Sequence, residues 1–229
     1  SQPLSPVDPS MFSSILNVAC FGDSTGSISL STSGGTPPYS FFWSNGDTTS
    51  SVFNLHSDTY SVMVTDVNGC SQASFSSLPD SNQFLITQPS SLLSYSSSQI
   101  DVNCKGDATG SISLNAFGGT GPYSYAWNSG QLTQVINSLY SGIYTFVITD
   151  DNLCTIEDSI FVSEPDSSLQ SSINSVDVTC FGYADGSFDV NVVGGNSPYN
   201  YIWSNGSTNS FQNYVTADNY IVQITDDFG

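Results

Sequence analysis

Residues 34–46 read GGTPPYSFFWSNG, and the same pattern returns as GGTGPYSYAWNSG at 118–130 and GGNSPYNYIWSNG at 194–206. In the first copy, Tyr39, Phe41 and Trp43 occupy every second position, separated by Ser40 and Phe42. Aromatic residues with a period of two are typical of a β-strand that turns one face to a core. The stretch therefore predicts a strand that occurs three times in the chain.

The repeat extends well beyond this strand. When the chain is aligned on Cys20, Cys104 and Cys180, glycine, tyrosine and Thr-Asp positions stay in register without a gap, up to Thr225. The segments FLITQPSSL at 84–92 and FVSEPDSSL at 161–169 resemble each other as short joints containing proline. Because fixed-period self-similarity marks repeat architectures, we predict three units at 1–89, 90–165 and 166–229, with the last truncated at its C-terminal end.

Each unit is predicted to be a small antiparallel β-sandwich of the Ig-like type. Ile28 and Leu30 alternate with serines, and Tyr60, Val62 and Val64 alternate with other residues further on. Asn-Gly pairs after the tryptophan strand match a β-hairpin signal. Helical periodicity is not evident, so the fold class is predicted to be all-β, a tandem array of three sandwiches.

The composition excludes several classes of partner. The chain has one Lys or Arg, Lys105, against 20 Asp and Glu residues, which gives a net charge of −19. Nucleic-acid binding requires basic side chains that displace counterions, and an anionic membrane surface would repel this chain. No apolar run approaches the length of a membrane span. We therefore expect an extracellular protein that neither binds nucleic acid nor inserts into a membrane.

The cysteines predict disulfides within the units. Cys20 and Cys70 have the same spacing as Cys104 and Cys154, and pairing each within its own unit treats the repeats equivalently. The alternative is a set of reduced, buried cysteines. Cys180 has no counterpart at this spacing, because its partner would come directly after Gly229. We therefore expect the natural chain to continue there with a cysteine.

Two interpretations of the repeated aspartates stay open. If the first cysteine loop lies beside the Thr-Asp loop, carboxylates from both approach each other and could bind Ca²⁺ through hard oxygen ligands. Alternatively, these residues cap turns by bonding to nearby backbone. The candidate calcium ligands are Asp23, Asp66, Asp107, Asp150, Asp151, Asp185, Asp226 and Asp227. Ca²⁺ is the one cofactor that the sequence brings into consideration.

A catalytic site is not predicted. His56 is the only histidine, and the equivalent positions hold Tyr140 and Thr216. A general base found in one repeat of three is better explained as a loop residue. The tryptophans could be sugar-stacking platforms, but their alternation with neighbouring aromatic residues favours core packing.

The assembled pattern resembles a known repeat family. It runs from CFG through GSI, GGxxPYS, WSNG and YxVxVTDxNGC to ITQP, and it is similar to the SprB-type repeat of cell-surface adhesins in Bacteroidetes. Lys105, Tyr183 and Leu153 depart from it. The resemblance implies tandem β-domains in a very large protein that is exported by the type IX system, displayed outside the outer membrane and linked to gliding motility. Separately, the tripeptides DST at 23–25, DTT at 47–49 and DSI at 158–160 resemble the O-glycosylation sites of exported Bacteroidetes proteins, which makes Ser24, Thr48 and Ser159 candidate acceptors.

Three functions follow as hypotheses. The first is a structural segment of an adhesin stalk or filament, in which each repeat has its neighbouring repeats as partners. The second is a set of modules that bind glycans, proteins or surfaces through loop residues such as Phe53, His56 and Tyr140. The third is a group of accessory domains attached to a large secreted enzyme.

Overall fold

The computed structural model describes residues 7–72 and 83–228, and every regular element within them is a β-strand. The all-β prediction is confirmed. In several of these strands, such as Gly26–Ser33 and Gly110–Phe117, the side chains alternate between buried and more exposed positions. The described residues form no helix with the length and hydropathy needed to cross a membrane.

The first repeat contains two sheets. One has the order β1-β2-β4, and the other has β5 at its centre, between β3 on one side and β6 and β7 on the other. All strand pairs within these two sheets are antiparallel. The strands are β1 (Asp8–Leu16), β2 (Gly26–Ser33), β3 (Ser40–Trp43), β4 (Ser51–Leu55), β5 (Asp58–Thr65), β6 (Ser71–Gln72) and β7 (Gln83–Ile86).

The middle repeat has the same plan, with sheets ordered β11-β9-β8 and β10-β12-β13. Its last strand is continuous where the first repeat has the two shorter strands β6 and β7. The strands are β8 (Ser94–Ile100), β9 (Gly110–Phe117), β10 (Ser124–Trp127), β11 (Val135–Leu139), β12 (Gly142–Thr149) and β13 (Thr155–Val162).

The third repeat has sheets ordered β14-β15-β17 and β16-β18. Trp203 lies opposite Val222 across β16 and β18, the same register that places Trp43 opposite Val62 in the first repeat. The strands are β14 (Gln170–Val176), β15 (Gly186–Val193), β16 (Asn200–Trp203), β17 (Phe211–Val215) and β18 (Val222–Thr225).

The core of the first repeat lies between its two sheets. Ile28 from β2 and Val52 from β4 belong to the same buried cluster as Trp43 from β3, Val64 from β5 and Ile86 from β7. Burying one apolar side chain of this size stabilises a fold by about 1.5–3 kcal/mol. The alternation read from the sequence therefore places the apolar face of each strand toward the opposite sheet.

The repeated tryptophans are core residues in all three repeats. Trp43, Trp127 and Trp203 are at most 5% exposed. Each indole N–H donates to a backbone carbonyl six residues later, at 2.8–2.9 Å. Burial of the rings with their polar atom satisfied leaves no face for a sugar to stack on, so the core interpretation of these residues is confirmed.

The Asn-Gly segments form turns, but they do not connect neighbouring strands. In the first copy the N–H of Gly46 donates to the carbonyl of Trp43 at 2.9 Å, which closes a tight turn. The strand before this turn, β3, pairs with β5, whereas the strand after it, β4, pairs with β2 in the other sheet. The turn therefore carries the chain across the sandwich, and a hairpin between consecutive strands is not formed.

A buried glycine begins the second strand of every repeat because the space beside it is filled. A Cβ built at Gly26 would lie 2.8 Å from Ile86 Cγ2, and one at Gly110 would lie 2.8 Å from Val162 Cγ1. Real Cβ atoms do not approach neighbours this closely. In the first and middle repeats, the glycine thus lets the last strand pack directly against the backbone, whereas Gly186 of the third repeat lies against Val215 of β17.

The chain packs into two compact units. One comprises Ser1–Ser96, Ala116–Tyr125 and Val147–Glu157, and the other comprises Ser97–Asn115, Ala126–Phe146 and Asp158–Gly229. Each unit thus combines one outer repeat with part of the middle repeat. The division into 1–89, 90–165 and 166–229 stays a prediction from the repeat pattern.

Candidate functional site at the junction between repeats

The loop that carries Cys20 is built by backbone hydrogen bonds. The N–H of Asp23 donates to the carbonyl of Cys20 at 3.1 Å, and the N–H of Ala19 donates to Thr25 Oγ1 at 3.0 Å. The joint that follows β7 fixes the same loop, because Gln88 Oε1 accepts from the N–H of Gly22 at 2.8 Å. The cysteine is therefore held in a rigid position at the end of its repeat.

Cys20 forms a disulfide with Cys154, which belongs to the next repeat. Their Cα atoms are 5.7 Å apart, within the usual range for a disulfide. Cys70 and Cys104 are unpaired thiols at exposed positions. The predicted pairs Cys20–Cys70 and Cys104–Cys154 are therefore wrong, and the bond links two repeats instead of closing one.

The geometry of β5 explains why Cys20 and Cys70 do not meet. The Cys20 loop bonds to Gln88, just beyond the end of β7 that lies opposite Asp58. Cys70 comes directly before Ser71, which pairs with Thr65 at the other end of β5. An eight-residue strand spans roughly 26 Å, far more than a disulfide can bridge. The two cysteines of a repeat therefore lie at opposite ends of it.

The cross-repeat bond closes a large loop. Its cysteines are separated by 134 residues. In the chain-entropy model, a link of this length stabilises the folded state by about 5 kcal/mol. The covalent connection therefore makes the first and middle repeats mutually dependent for their stability.

The loop that carries Cys154 is organised by a buried carboxylate. Asp150 Oδ1 accepts from the N–H groups of Asn152 and Cys154 at 3.0 and 2.8 Å, and Oδ2 accepts from the N–H of Thr120 at 2.9 Å. Asp150 is only 3% exposed. Its three hydrogen bonds supply the compensation that a buried charge requires. The carboxylate thus fixes the backbone that presents Cys154.

The equivalent aspartates do the same in the other repeats. Asp66 accepts from the N–H groups of Thr36, Asn68 and Cys70 at 2.8–3.0 Å. Asp226 accepts from those of Asn196 and Phe228 at 3.0 and 3.1 Å. These three aspartates therefore make the contacts that the turn-capping interpretation predicts.

Hydrogen bonding lowers the pKa of Asp66. Burial acts to raise this pKa, but the N–H groups of Cys70, Thr36 and Asn68 favour the ionised form and outweigh it. The pKa therefore lies below the ordinary value for an aspartate, and the charged form stabilises the folded state.

The other candidate calcium ligands lie at the surface. Asp23, Asp107, Asp151, Asp185 and Asp227 are all exposed. The cysteine pair that was expected to bring Asp23 toward Asp66 does not form. Within 7–72 and 83–228, no three His, Cys, Asp or Glu side chains gather in a group that could hold a metal ion. Calcium binding by these residues stays one of the two hypotheses from the sequence.

The remaining candidate residues also have defined positions. His56 is exposed, and its Nδ1 lies 3.2 Å from the carbonyl oxygen of Asp23. Thr48 and Ser159 are exposed and Ser24 is half-buried, so glycosylation at these positions stays a prediction. Phe53 and Tyr140 are also exposed.

Polar and apolar contacts surround the disulfide. Asn152 Nδ2 donates to the carbonyl of Ala19 at 2.9 Å, so the second loop bonds to the backbone directly before Cys20. Phe21 lines a cavity together with Leu92, Leu93 and Leu153. Neither Asn152 nor the joint residue Gln88 was expected to act at this site. Their positions in the repeated TDxN and TQP segments were the available signal.

An equivalent arrangement lies around Cys104 of the middle repeat, where this repeat meets the third repeat. Asn196 Nδ2 donates to the carbonyl of Asn103 at 3.3 Å. Lys105 donates to the carbonyl of Asp166, and Glu164 Oε2 accepts from the N–H of Gly106 at 2.8 Å. The loop of Cys104 is therefore anchored to the joint and to the following repeat, although Cys104 itself is unpaired.

The SprB repeat family model matches the chain at 13–48, 96–132 and 172–208. One matched segment lies within each of the predicted repeats 1–89, 90–165 and 166–229. No curated protein matches this chain.

One similar solved structure is the crystal structure of a tetra-tandem repeat in the extending region of a large adhesion protein. It is 15% identical in sequence, and the comparison covers 97% of this chain and 66% of that chain, with a TM-score of 0.25.

Proposed function

We propose, from the premise that this chain carries three SprB repeats, that it is a structural segment of a very large secreted adhesin. In this role it gives the adhesin reach and bears load as a stalk or filament. The observation that carries the proposal is the disulfide between Cys20 and Cys154, which joins consecutive repeats by a bond outside the main chain.

The path of force through the chain supports a load-bearing role. Tension applied between the chain ends reaches Cys20, crosses the disulfide and continues from Cys154, so the residues between them carry no tension even if their strands separate. A fully extended segment of 134 residues would add about 450 Å of length. The bond thus limits how far the segment can lengthen under load.

Single-molecule stretching tests this role. With handles at both ends, we expect the oxidised chain to lengthen only by residues outside the 21–153 loop. Addition of a thiol reductant should release about 450 Å more, because the loop then unfolds under tension. The Cys20→Ser variant without reductant is the matched control and should behave like the reduced chain. An oxidised chain that extends over its full length would contradict the load-bearing proposal.

The proposed location follows from the family and from the chemistry of the bond. Disulfides persist in oxidising surroundings outside the cytosol. We infer a cell-surface position beyond the outer membrane, export by the type IX system, and a contribution to surface attachment or gliding. Surface labelling of the native cells with an antibody against these repeats tests the location, and labelling only after cell disruption would contradict it.

Two exposed aromatic residues, Phe53 in β4 and Tyr140 after β11, favour a second candidate function, the binding of a glycan or protein. Phe53 is 63% exposed and Tyr140 is 61% exposed, and neither residue type is shared by all three repeats. Aromatic rings at the surface can supply binding energy at low entropic cost. Such a role is compatible with a stalk, because neither side chain lines the cavity beside the disulfide.

A glycan array with the oxidised chain tests this second candidate. Binding that disappears in Phe53→Ser or Tyr140→Ser, while the melting temperature is unchanged, would support it. Phe211→Ser, which changes another exposed aromatic residue, serves as the control. Absence of binding across glycans and host-matrix proteins leaves the structural role as the function of this segment.

A further inference from the structure

We propose that the cysteines of this repeat form a ladder, in which the first cysteine of each repeat bonds to the second cysteine of the next. Cys20–Cys154 is one rung. A cysteine placed directly after Gly229 would then pair with Cys104. In an array of such repeats, Cys180 would pair with the second cysteine of a following repeat, and Cys70 with the first cysteine of a preceding one. The inference does not depend on an adhesive role.

The first argument is that Cys104 occupies the same surroundings as Cys20. Cys104 and Lys105 line a cavity with Leu169 and Gly195 of the third repeat. Cys20 and Phe21 line a cavity with Leu93 and Gly119, the positions equivalent to Leu169 and Gly195. Cys104 therefore already faces the part of the third repeat from which its partner would come.

The second argument comes from hydrogen bonds on the residue before each cysteine. Asn152 of the middle repeat bonds to the carbonyl of Ala19, and Asn196 of the third repeat bonds to the carbonyl of Asn103. The donors come from different loops, but both loops are tied to the buried aspartate of their repeat. The following repeat therefore reaches the same backbone position at both junctions.

The third argument is the geometry of the aspartate loop. Asp66 and Asp150 each accept from the N–H two residues later and from the N–H of the cysteine four residues later. Asp226 accepts from the N–H of Phe228 in the same way. A cysteine at the position following Gly229 would therefore complete the same loop and be presented to Cys104.

The surroundings of Cys180 differ from those of Cys20. Its neighbour Phe181 is fully exposed, whereas the equivalent Phe21 is 41% exposed beside the middle repeat. Cys180 itself is exposed and unpaired. The occupant that fits this surface is a further repeat of the same kind, because it continues an interface that the first two repeats already form.

Bond formation is an ordinary thiol–disulfide exchange. A thiolate of one cysteine attacks a disulfide oxidant, such as oxidised glutathione, to give a mixed disulfide and one reduced thiol. The thiolate of the second cysteine then attacks the protein sulfur and displaces the other half of the oxidant. Two protein thiols lose two protons and two electrons, and the oxidant gains them as two thiols.

The test uses the full chain extended by a single cysteine after Gly229 and oxidised with a glutathione buffer. Cleavage before each Asp places the cysteines on separate peptides, and mass spectrometry without reduction identifies the linked pair. We expect the added cysteine to be linked to peptide 101–106, which contains Cys104. A link to peptide 177–184, which contains Cys180, would overturn the ladder, as would a free added thiol.

Two variants and one control keep the result interpretable. In the extended chain, Cys104→Ser should abolish the new link, whereas Cys180→Ser should leave it intact. Extension with serine in place of cysteine should leave Cys104 and Cys180 both open to alkylation. The linked peptides of Cys20 and Cys154 report correct folding in each sample. Retention of a link in the Cys104→Ser variant would contradict the proposal.

Discussion

At the residue scale, one buried carboxylate per repeat organises the loop before the second cysteine. Asp66, Asp150 and Asp226 are each 3–5% exposed and each accept backbone N–H groups. The neutral amide of an asparagine could accept hydrogen bonds only at its oxygen atom. Its NH₂ group would then face a backbone N–H, and two donors cannot form a hydrogen bond. The carboxylate therefore fixes the backbone of the loop through hydrogen bonds. The Thr-Asp pair recurs in the sequence because every repeat has this loop.

Asp150→Asn should destabilise the chain by about 1–3 kcal/mol, because a buried donor loses its acceptor. The loss should appear as a lower denaturant midpoint in chemical unfolding followed by tryptophan fluorescence. Asp151→Asn changes the exposed neighbour and serves as the control, with an expected change near zero. Equal effects of the two substitutions would show that the buried cap is not what stabilises the loop.

The lowered pKa of Asp66 predicts how stability depends on pH. A carboxyl whose pKa is lower in the folded state stabilises that state above its unfolded pKa, about 3.9, and this contribution disappears as pH falls through the folded pKa. Asp66→Asn should therefore lower the melting temperature at pH 7, and the difference from the unmodified chain should shrink below about pH 4. A difference that stays constant down to pH 2 would contradict the assignment.

Calcium provides a separate test of the same residues. Since the buried carboxylate oxygens already accept backbone N–H groups, we expect the melting temperature to be the same with Ca²⁺ and with a chelator. A rise of several degrees with Ca²⁺ that is lost in Asp23→Asn would instead establish the alternative that the sequence left open. Mg²⁺ at the same concentration controls for general screening of the −19 charge.

At the scale of the elements, the last strand of the middle repeat packs against the glycine that begins its second strand. Gly110→Ala would place a Cβ 2.8 Å from Val162 Cγ1 and 3.0 Å from the carbonyl oxygen of Leu139. We expect a loss of about 1–3 kcal/mol, as overpacked cores show. Val162→Ala added to the same chain should recover part of the loss in a double-mutant cycle, and strictly additive losses would contradict the contact.

Strand alternation made most of the fold predictable. The alternation of Tyr39, Phe41 and Trp43 predicted one strand and its buried face. The alignment without gaps extended this prediction to the equivalent strands of the other two repeats. The crossing between sheets after Trp43 was not predictable, because an Asn-Gly turn has the same local sequence whether or not its flanking strands pair.

The disulfide was not predictable from spacing, for a physical reason. The equal spacing of the two cysteines in each repeat is compatible with a disulfide inside the repeat. It is equally compatible with a disulfide from the first cysteine of one repeat to the second cysteine of the next. Only the topology separates the two, since it places Cys20 and Cys70 at opposite ends of β5. The odd cysteine count is compatible with both schemes.

At the scale of the whole molecule, the repeats are linked twice, once by the proline-containing joint and once by the disulfide. The joint carries the main chain, and Gln88 and Glu164 tie it to the cysteine loops. The disulfide adds a second connection over 134 residues. The first and middle repeats therefore stay connected through the disulfide when the strands between Cys20 and Cys154 separate.

Disulfide mapping of the unreduced chain tests this account most directly. Cleavage before each Asp places Cys20 on peptide 8–22, Cys70 on 66–79, Cys104 on 101–106 and Cys154 on 151–157. The account predicts that peptide 8–22 is linked to peptide 151–157, with Cys70, Cys104 and Cys180 open to alkylation. Links between 8–22 and 66–79, and between 101–106 and 151–157, would contradict it.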